Sequence, residues 1–240
     1  MPDTRRHRGP HPDDPRLFAA DQIVPLRQAT GDLCWLLNRD YALPSALKVV
    51  GDRYQLEARQ RLAVQRCACT DRQHWRRFGR CTEPSALAGH RIVIDGLNLI
   101  TTIEAALSGG VILVGRDGCY RDLASVHGTY RRVDETQPAL EMIGRWLRDH
   151  DVAESHWLLD APVSNSGRLR SLIESEAAAH GWNWTADVVR DPDQILATTT
   201  DLITTADSAI LDRCEQWCGV ATEIVQRDVP KAWIVDLFAS

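Results

Sequence analysis

The chain has 240 residues, of which 44% are hydrophobic and 25% charged, a composition typical of soluble globular proteins with one large or two smaller domains. It has no stretch of the ~20 apolar residues that a membrane span needs, and its polar N-terminus lacks the apolar segment of a secretory signal. We therefore expect a cytoplasmic protein with no membrane partner and with mostly reduced cysteines.

Charge is unevenly distributed along the chain, although the net formal charge is only −5. Residues 1–91 contain 16 Arg and Lys against 10 Asp and Glu, whereas residues 92–240 contain 12 against 23. A basic first part and an acidic second part suit a protein that binds nucleic acid with one and a metal ion with the other. An uneven surface charge without function would give the same imbalance, so both interpretations stay open.

The first part of the chain is predicted to be helical after a disordered tail. Residues 1–15 are rich in Pro, Arg, Asp and His and have no apolar periodicity, which indicates disorder. Residues 16–80 form a predicted helical, Arg-rich domain, because apolar side chains recur there at three- and four-residue spacing. Residues 81–90 are a predicted linker.

Residues 91–240 alternate apolar runs with amphipathic segments, which predicts an α/β domain with a mostly parallel sheet flanked by helices. The predicted strands are RIVID, VILVG, SHWLLD, WTADVVR, LITTAD, VATEIVQ and KAWIVDLF. The predicted helices are LITTIEAALS, DETQPALEMIGRWLRDH, SNSGRLRSLIESEAAAHG and SAILDRCEQWC. The predicted fold is thus a small all-α domain followed by an α/β domain.

Three predicted strands end on aspartate, at Asp95, Asp160 and Asp207. Ligands of parallel sheets bind beyond the carboxyl ends of the strands, so neighbouring strands would bring these carboxylates to one edge. A single aspartate there is usually a turn former or helix cap, but three indicate a shared site. Because like charges repel, such a cluster favours a hard cation such as Mg²⁺ or Mn²⁺, which could activate water for phosphodiester cleavage.

Further residues are predicted to complete this site. The fourth acid is predicted to be Asp122 or Glu104, although Glu104 could equally be a surface acid of its helix. Asn98, Arg121 and Ser208 are predicted to position the substrate. Asp117 and Asp212 are alternatives for the fourth acid that the sequence does not favour.

The segment of residues 53–80 contains eight arginines, with aromatic side chains interleaved. Arginine forks bind phosphate, and exposed aromatic rings stack on unpaired bases. Arg76 and Arg77, in HWRRFGR, are therefore predicted to bind substrate nucleic acid. The alternative is that the arginines are solvated or pair with the acidic part of the same chain.

Two smaller patterns are open to interpretation. Cys67, Cys69, His74 and Cys81 could bind zinc, but a C-x-C spacing is a weak zinc pattern. Incidental buried thiols are the alternative. His127 could contact a substrate phosphate or could be an ordinary loop histidine.

Several of these segments carry a family resemblance. VIDGLNLITTIEAALSG, GCYRDLASVHGTYR, LLDAPVSNSGRL, TTADSAILDR and VGDRYQLEARQRLAVQRCAC resemble the prokaryotic domain-of-unknown-function family 434 over roughly residues 30–240. More remotely, the D-G-x-N start, the LLDAP strand end and the T-x-D-S end resemble PIN-like and NYN-type ribonucleases. That resemblance implies a Rossmann-like sheet, a Mg²⁺ or Mn²⁺ cofactor, metal-binding roles for Asp95, Asp160 and Asp207, and an amide role for Asn98.

Together these observations predict a metal-dependent nuclease that cleaves RNA more readily than DNA. The alternatives are a non-catalytic nucleic-acid-binding protein on a PIN-like fold and a phosphate- or nucleotide-processing enzyme. The absence of both G-x-x-x-x-G-K-[ST] and G-x-G-x-x-G counts against the last of these. A homo-oligomer stays open.

Overall fold

The structure is a computed structural model that describes residues 6–124 and 129–238. Residues 1–5 of the predicted tail and His127 lie outside the described residues. Within those described ranges, no helix combines the length and apolar character that crossing a membrane requires.

The first part of the chain is helical, as predicted. Its helices are α1 (Asp14–Leu17), α2 (Ala20–Leu37), α3 (Leu43–Arg53), α4 (Ala58–Cys67) and α5 (Asp71–Phe78). Capping boxes fix two of the starts: Glu57 with Gln60 begins α4, and Thr70 with Gln73 begins α5. A single 3₁₀ turn, Pro84–Ala86, follows in the predicted linker.

The second part of the chain consists of strands and helices that largely alternate. The elements are β1 (Arg91–Asp95), α6 (Gly96–Leu107), β2 (Val111–Val114), β3 (Tyr120–Asp122), α7 (Thr136–Asp149), β4 (Glu154–Asp160), α8 (Ser166–His180), β5 (Trp184–Val189), α9 (Pro192–Thr198), β6 (Leu202–Thr204), α10 (Ser208–Leu211), α11 (Val220–Asp228) and β7 (Trp233–Asp236). The mixed α/β character and the parallel sheet flanked by helices are confirmed.

The main sheet has the order β5-β4-β1-β6, and all its strands are parallel. Side chains of each strand alternate between the two faces of this sheet. Helices cover both faces, as is usual for a parallel sheet. Ile92 and Ile94 of β1 pack with α6, α7, α8 and α11 on one face. Val93 packs on the other face with Leu196 of α9 and Ile210 of α10. The carboxyl ends of β4, β1 and β6 therefore lie side by side at one edge.

A second sheet has the order β3-β2-β7, with β2 antiparallel to β3 and parallel to β7. The predicted strand VILVG is its central strand, so it does not belong to the main sheet. Val111 and Leu113 of β2 pack against the N-terminal helices, whereas Ile112 packs against α6 and α11. The small sheet thus joins the helical part to the rest of the molecule through shared cores.

Three sequence predictions about local structure are wrong. VATEIVQ is helix α11 rather than a strand, because Val220, Ala221, Ile224 and Val225 follow helical spacing and are buried. The predicted helix SAILDRCEQWC ends at Leu211. Residues 6–13 of the predicted tail are held in place by side-chain contacts, above all the ion pair of Arg8 with the buried Glu104.

Candidate active site

The three aspartates at strand ends lie at the same edge of the main sheet. Asp95 is the last residue of β1, and Asp160 is the last residue of the neighbouring β4. Asp207 follows β6, the neighbour of β1 on the other side, by three residues. The structure therefore places the ends of these three strand segments side by side, as the parallel pairing predicted.

Asp95 lies at the centre of this edge and is 7% exposed. Its Oδ2 accepts a hydrogen bond from Thr205 Oγ1 at 2.6 Å, and its Oδ1 accepts a longer one from the Asn98 backbone at 3.4 Å. Burial, with added repulsion from Asp207 and Asp160, raises the pKa of Asp95 to about 7. A carboxyl in this environment holds its proton more tightly than an ordinary aspartate does.

The flanking aspartates are more exposed. Asp207 caps α10, because its Oδ1 accepts hydrogen bonds from the backbone of Ala209 at 2.7 Å and of Ile210 at 3.2 Å. Partial burial raises the pKa of Asp160, and repulsion from Asp191 adds to this effect. Each has at least one carboxylate oxygen that is not used by another side chain of the described residues.

Sequence reasoning missed a fourth acid, Asp193, in the first turn of α9. Partial burial and repulsion from Asp207, Asp160 and Asp191 raise its pKa, so it belongs to the same electrostatic cluster. The signal was present in the sequence, since DPD directly follows the strand WTADVVR just as the other acids follow theirs. We refer to Asp95, Asp160, Asp193 and Asp207 as the acid rim.

Asn98 and Ser208, which the sequence analysis predicts to position a substrate, lie beside the acid rim. The Oδ1 of Asn98 accepts a hydrogen bond from the backbone of Ala206 at 2.8 Å, which ties α6 to the end of β6. Its amide N–H groups are the part that could face a substrate. Ser208 follows Asp207 directly, and its backbone oxygen accepts a hydrogen bond from Arg77 at 3.2 Å.

Two predicted acids lie away from the acid rim. Glu104 is fully buried, where it pairs with Arg8 and accepts hydrogen bonds from Tyr130 and Thr136, each at 2.6 Å. It lies on α6 well beyond Asp95, on the side that faces residues 130–136. Asp122 belongs to the small sheet and accepts a hydrogen bond from Thr102 Oγ1 at 3.0 Å. Glu104 is therefore held in an internal hydrogen-bond network, whereas the buried Oδ1 of Asp122 has no hydrogen-bond partner among the described residues.

Two predicted substrate arginines are also structural. Arg77 and Arg121 are buried on either side of Asp117, with nitrogen–oxygen distances of 2.6 Å to each guanidinium. Arg77 also pairs with Asp212 at 2.7 Å. Burial opposes ionisation of Asp117, but the two guanidiniums outweigh it and hold its pKa well below the ordinary value. These side chains join α5 to the acid-rim side of the sheet and are inaccessible to substrate.

Comparison with known proteins now adds family membership. Residues 84–223 match a family described as a domain of unknown function, DUF5616. The chain belongs to this family. Residues 25–80 match a second family, described as a protein of unknown function, DUF434. The resemblance to family 434 is therefore correct only for the helical part, because the acid rim lies in the DUF5616 segment.

One relative extends over both segments. The chain is 27% identical over 186 residues to an uncharacterized protein of Methanocaldococcus jannaschii, an alignment that spans 78% of this chain and 88% of the relative. No solved structure matches the chain significantly.

Helix α5 contacts the DUF5616 segment with one face and exposes the other to solvent. Trp75 and Phe78 are each 66% exposed, and Arg76 is exposed beside them. Gln73 of the same helix donates a hydrogen bond to Asp212 at 2.7 Å, so α5 is attached directly to the chain that follows α10. Of the predicted substrate contacts on this helix, Arg76 is accessible and Arg77 is not.

The acid rim supplies the kind of donors that Mg²⁺ and Mn²⁺ prefer, because all its side chains are carboxylates. Among the described residues, none of the four forms an ion pair with an Arg, Lys or His, and the nearby Arg213 only partly offsets the rise in the pKa of Asp193. As the side chains stand, the described ranges contain no group of three or more His, Cys, Asp or Glu arranged to hold a metal ion.

Of the cysteines that could bind zinc, Cys67 and Cys69 are buried and Cys81 is half-buried. Burial raises the pKa of both Cys67 and Cys69 to about 12, and that of Cys81 to about 11. The described residues contain no group of three or more His, Cys, Asp or Glu arranged to hold a metal ion, so these cysteines and His74 do not form such a group. These residues pack as small apolar side chains, as the alternative interpretation predicted.

Proposed function

We propose that the protein is a divalent-metal-dependent nuclease that acts on single-stranded nucleic acid, RNA more readily than DNA. The observation that carries this proposal is Asp95, a buried carboxyl with a pKa of about 7 that is surrounded by other acids and paired with no cation among the described residues. Such a cluster is costly to the fold, and a bound cation would relieve the cost.

In this proposal the four acids of the rim have distinct roles. Asp95, Asp160 and Asp207 hold the ion, and Asp193 takes the place of the fourth acid. When bound, Mg²⁺ or Mn²⁺ supplies the positive charge that makes a phosphodiester susceptible to attack by water. The amide of Asn98 positions a phosphate oxygen. This arrangement of acids after successive parallel strands also supports the PIN-like resemblance.

The test of catalysis is cleavage of labelled single-stranded RNA and DNA in Mn²⁺. We expect the Asp95→Asn/Asp207→Asn double variant to lose at least about 100-fold in rate, because it removes two charges from the metal site. Asp187→Asn is the matched control, since Asp187 is an exposed acid of the same sheet outside the rim. Cleavage that persists in the double variant would exclude this site.

The α5 face supports nucleic acid as the substrate, independently of the acids. We expect Trp75→Ala to weaken single-stranded RNA binding about 5- to 100-fold, because a stacked base is lost. Trp35→Ala is the control, since Trp35 is a similarly exposed tryptophan on α2. Fluorescence anisotropy in EDTA separates binding from cleavage, and equal losses in both variants would argue against a specific α5 surface.

The cleavage assay in Mn²⁺ and the binding assay in EDTA together distinguish the nuclease from the main alternative, a non-catalytic nucleic-acid-binding protein. The α5 face favours this alternative as much as it favours a nuclease, because it does not involve the acid rim. RNA binding that depends on Trp75, with no cleavage by the unaltered protein in Mg²⁺ or Mn²⁺, would support the alternative.

A further inference from the structure

A pocket lined by three arginines lies beside the loop that follows Asp160. Its cavity measures about 370 Å³ and is lined by Tyr130, Arg131, Arg132, Asn165, Arg168, Leu169 and Leu172. We call it the arginine pocket. We propose that it binds the phosphate group at the end of a nucleic-acid strand.

The arginines of this pocket have no anionic partner among the described residues. Arg131 and Arg168 make no side-chain hydrogen bond or ion pair there, and Arg132 makes only a long contact of 3.4 Å with Gln137. Arginines elsewhere in the protein, such as Arg77, are held by carboxylates. Three uncompensated guanidiniums around one cavity repel one another, and an anion within the cavity would stabilise them.

The pocket is built from two segments that are fixed to each other. The backbone of Tyr130 donates a hydrogen bond to Ser164 O at 3.0 Å, and Asn165 Nδ2 donates one to Tyr130 O at 2.9 Å. On the other side, Arg8 donates a hydrogen bond to the backbone oxygen of Arg131 at 3.0 Å. The guanidiniums therefore project from anchored backbone.

The shape and composition of the pocket favour a phosphorylated strand end. Leu169 and the half-buried Leu172 give it an apolar wall suited to a sugar or base, while the arginines suit a phosphate. A cavity of about 370 Å³ is large enough for one nucleotide.

The pocket is linked to the acid rim through the start of α8. Ser166 Oγ donates a hydrogen bond to Asp160 O at 2.6 Å, so the first turn of α8, which carries Arg168, is bonded to a residue of the rim. Recognition of a strand end beside the rim would favour cleavage near that end. The assignment of the phosphate to a substrate strand rests on the proposed function, whereas phosphate binding itself does not.

The test compares single-stranded RNA octamers with a 5′-phosphate, a 3′-phosphate or unphosphorylated ends. Their affinities are measured by anisotropy in EDTA, where no cleavage occurs. We expect the full-length protein to prefer one phosphorylated end by about tenfold or more. We expect Arg168→Gln and Arg132→Gln to remove that preference, because a charge-assisted contact to the phosphate is lost.

Arg145→Gln is the matched control, since Arg145 is exposed on α7, is not part of the pocket and makes no ion pair among the described residues. Thermal melting checks that all variants fold. Equal affinity for phosphorylated and unphosphorylated ends, or a preference that survives both pocket variants, would overturn the proposal. Competition by adenosine monophosphate with the same affinity as the strand would overturn the strand assignment in favour of a free nucleotide. If the unaltered protein prefers a phosphorylated end but shows no Mn²⁺-dependent cleavage, phosphate binding stands and only the proposed nuclease activity is contradicted.

Discussion

The Asp95→Asn variant should be more stable than the unaltered protein at pH 8 in EDTA, by about 2–3 kcal/mol in free energy of unfolding. Burial raises the pKa of Asp95 from its ordinary value of 3.8 to about 7, and each pKa unit corresponds to about 1.36 kcal/mol. Part of the gain is offset because asparagine cannot accept both hydrogen bonds that the Asp95 carboxylate receives, each such bond contributing about 1 kcal/mol.

The sign follows from the ionisation of Asp95 in the two states. Below pH 4 the carboxyl is protonated in both folded and unfolded chains, so the substitution changes little. Between pH 4 and 7 the unfolded chain ionises first, which destabilises the folded protein increasingly as the pH rises. Above pH 7 the penalty is constant. The gain from Asp95→Asn should therefore appear between pH 4 and 7 and then level off.

Urea unfolding at pH 5 and pH 8 measures this difference directly. Asp187→Asn should change the stability by no more than about 1 kcal/mol at either pH, because Asp187 is exposed and its ion pair with His156 is of the weak surface kind. A variant of Asp95 that is equally destabilised at both pH values would show that the carboxylate supports the fold and is not strained. In the unaltered protein, added Mn²⁺ should stabilise the fold more at pH 8 than at pH 6, because the ion must displace the proton of Asp95.

Asp117→Ala should destabilise the protein by about 3–5 kcal/mol, because it leaves the buried guanidiniums of Arg77 and Arg121 without their shared carboxylate. The same substitution should detach α5 from the rest of the fold, since Arg77 is one of its principal anchors. The free energy of unfolding in urea and the proteolytic susceptibility of residues 71–80 measure the two effects.

Glu174→Ala provides the comparison for this experiment. Glu174 forms an exposed ion pair with Arg170 at 3.4 Å, and such pairs contribute at most about 1 kcal/mol. If Asp117→Ala costs no more than Glu174→Ala, the buried arginines have other sources of compensation. Because the pKa of Asp117 is depressed, its contribution should persist in mild acid and be lost only well below the ordinary carboxyl pKa.

The position of the acid rim could be predicted from the sequence because it depends on a local pattern. Apolar runs that end on Asp95, Asp160 and Asp207 identify strand ends, and parallel pairing then places them together. Asp193 follows the same rule but was missed, because its strand, WTADVVR, ends on arginine and the acid follows only after Asp191 and Pro192. Attention to the residues after each strand would have found it.

The roles of Glu104, Arg77 and Arg121 could not be predicted, because their partners are distant in the sequence. Glu104 is neutralised by Arg8, 96 residues away, and Arg77 is neutralised by Asp117, 40 residues away. A charged side chain has the same appearance in the sequence whether it is buried in an ion pair or exposed at a site. Only the tertiary structure separates these cases, as the contrast between adjacent Arg76 and Arg77 shows.

The small sheet has a consequence for the order in which the protein can fold during synthesis. Among the described elements its strand β7 comes last, yet Val235 and Leu237 pack into the same core as Leu17, Leu26 and Leu33. Helices α1 and α2 are synthesised well before β7, and they therefore have no complete hydrophobic partner until residues 233–237 have emerged. Until then, the nascent helical segment stays loosely packed, and its apolar side chains are accessible to chaperones for longest during this period.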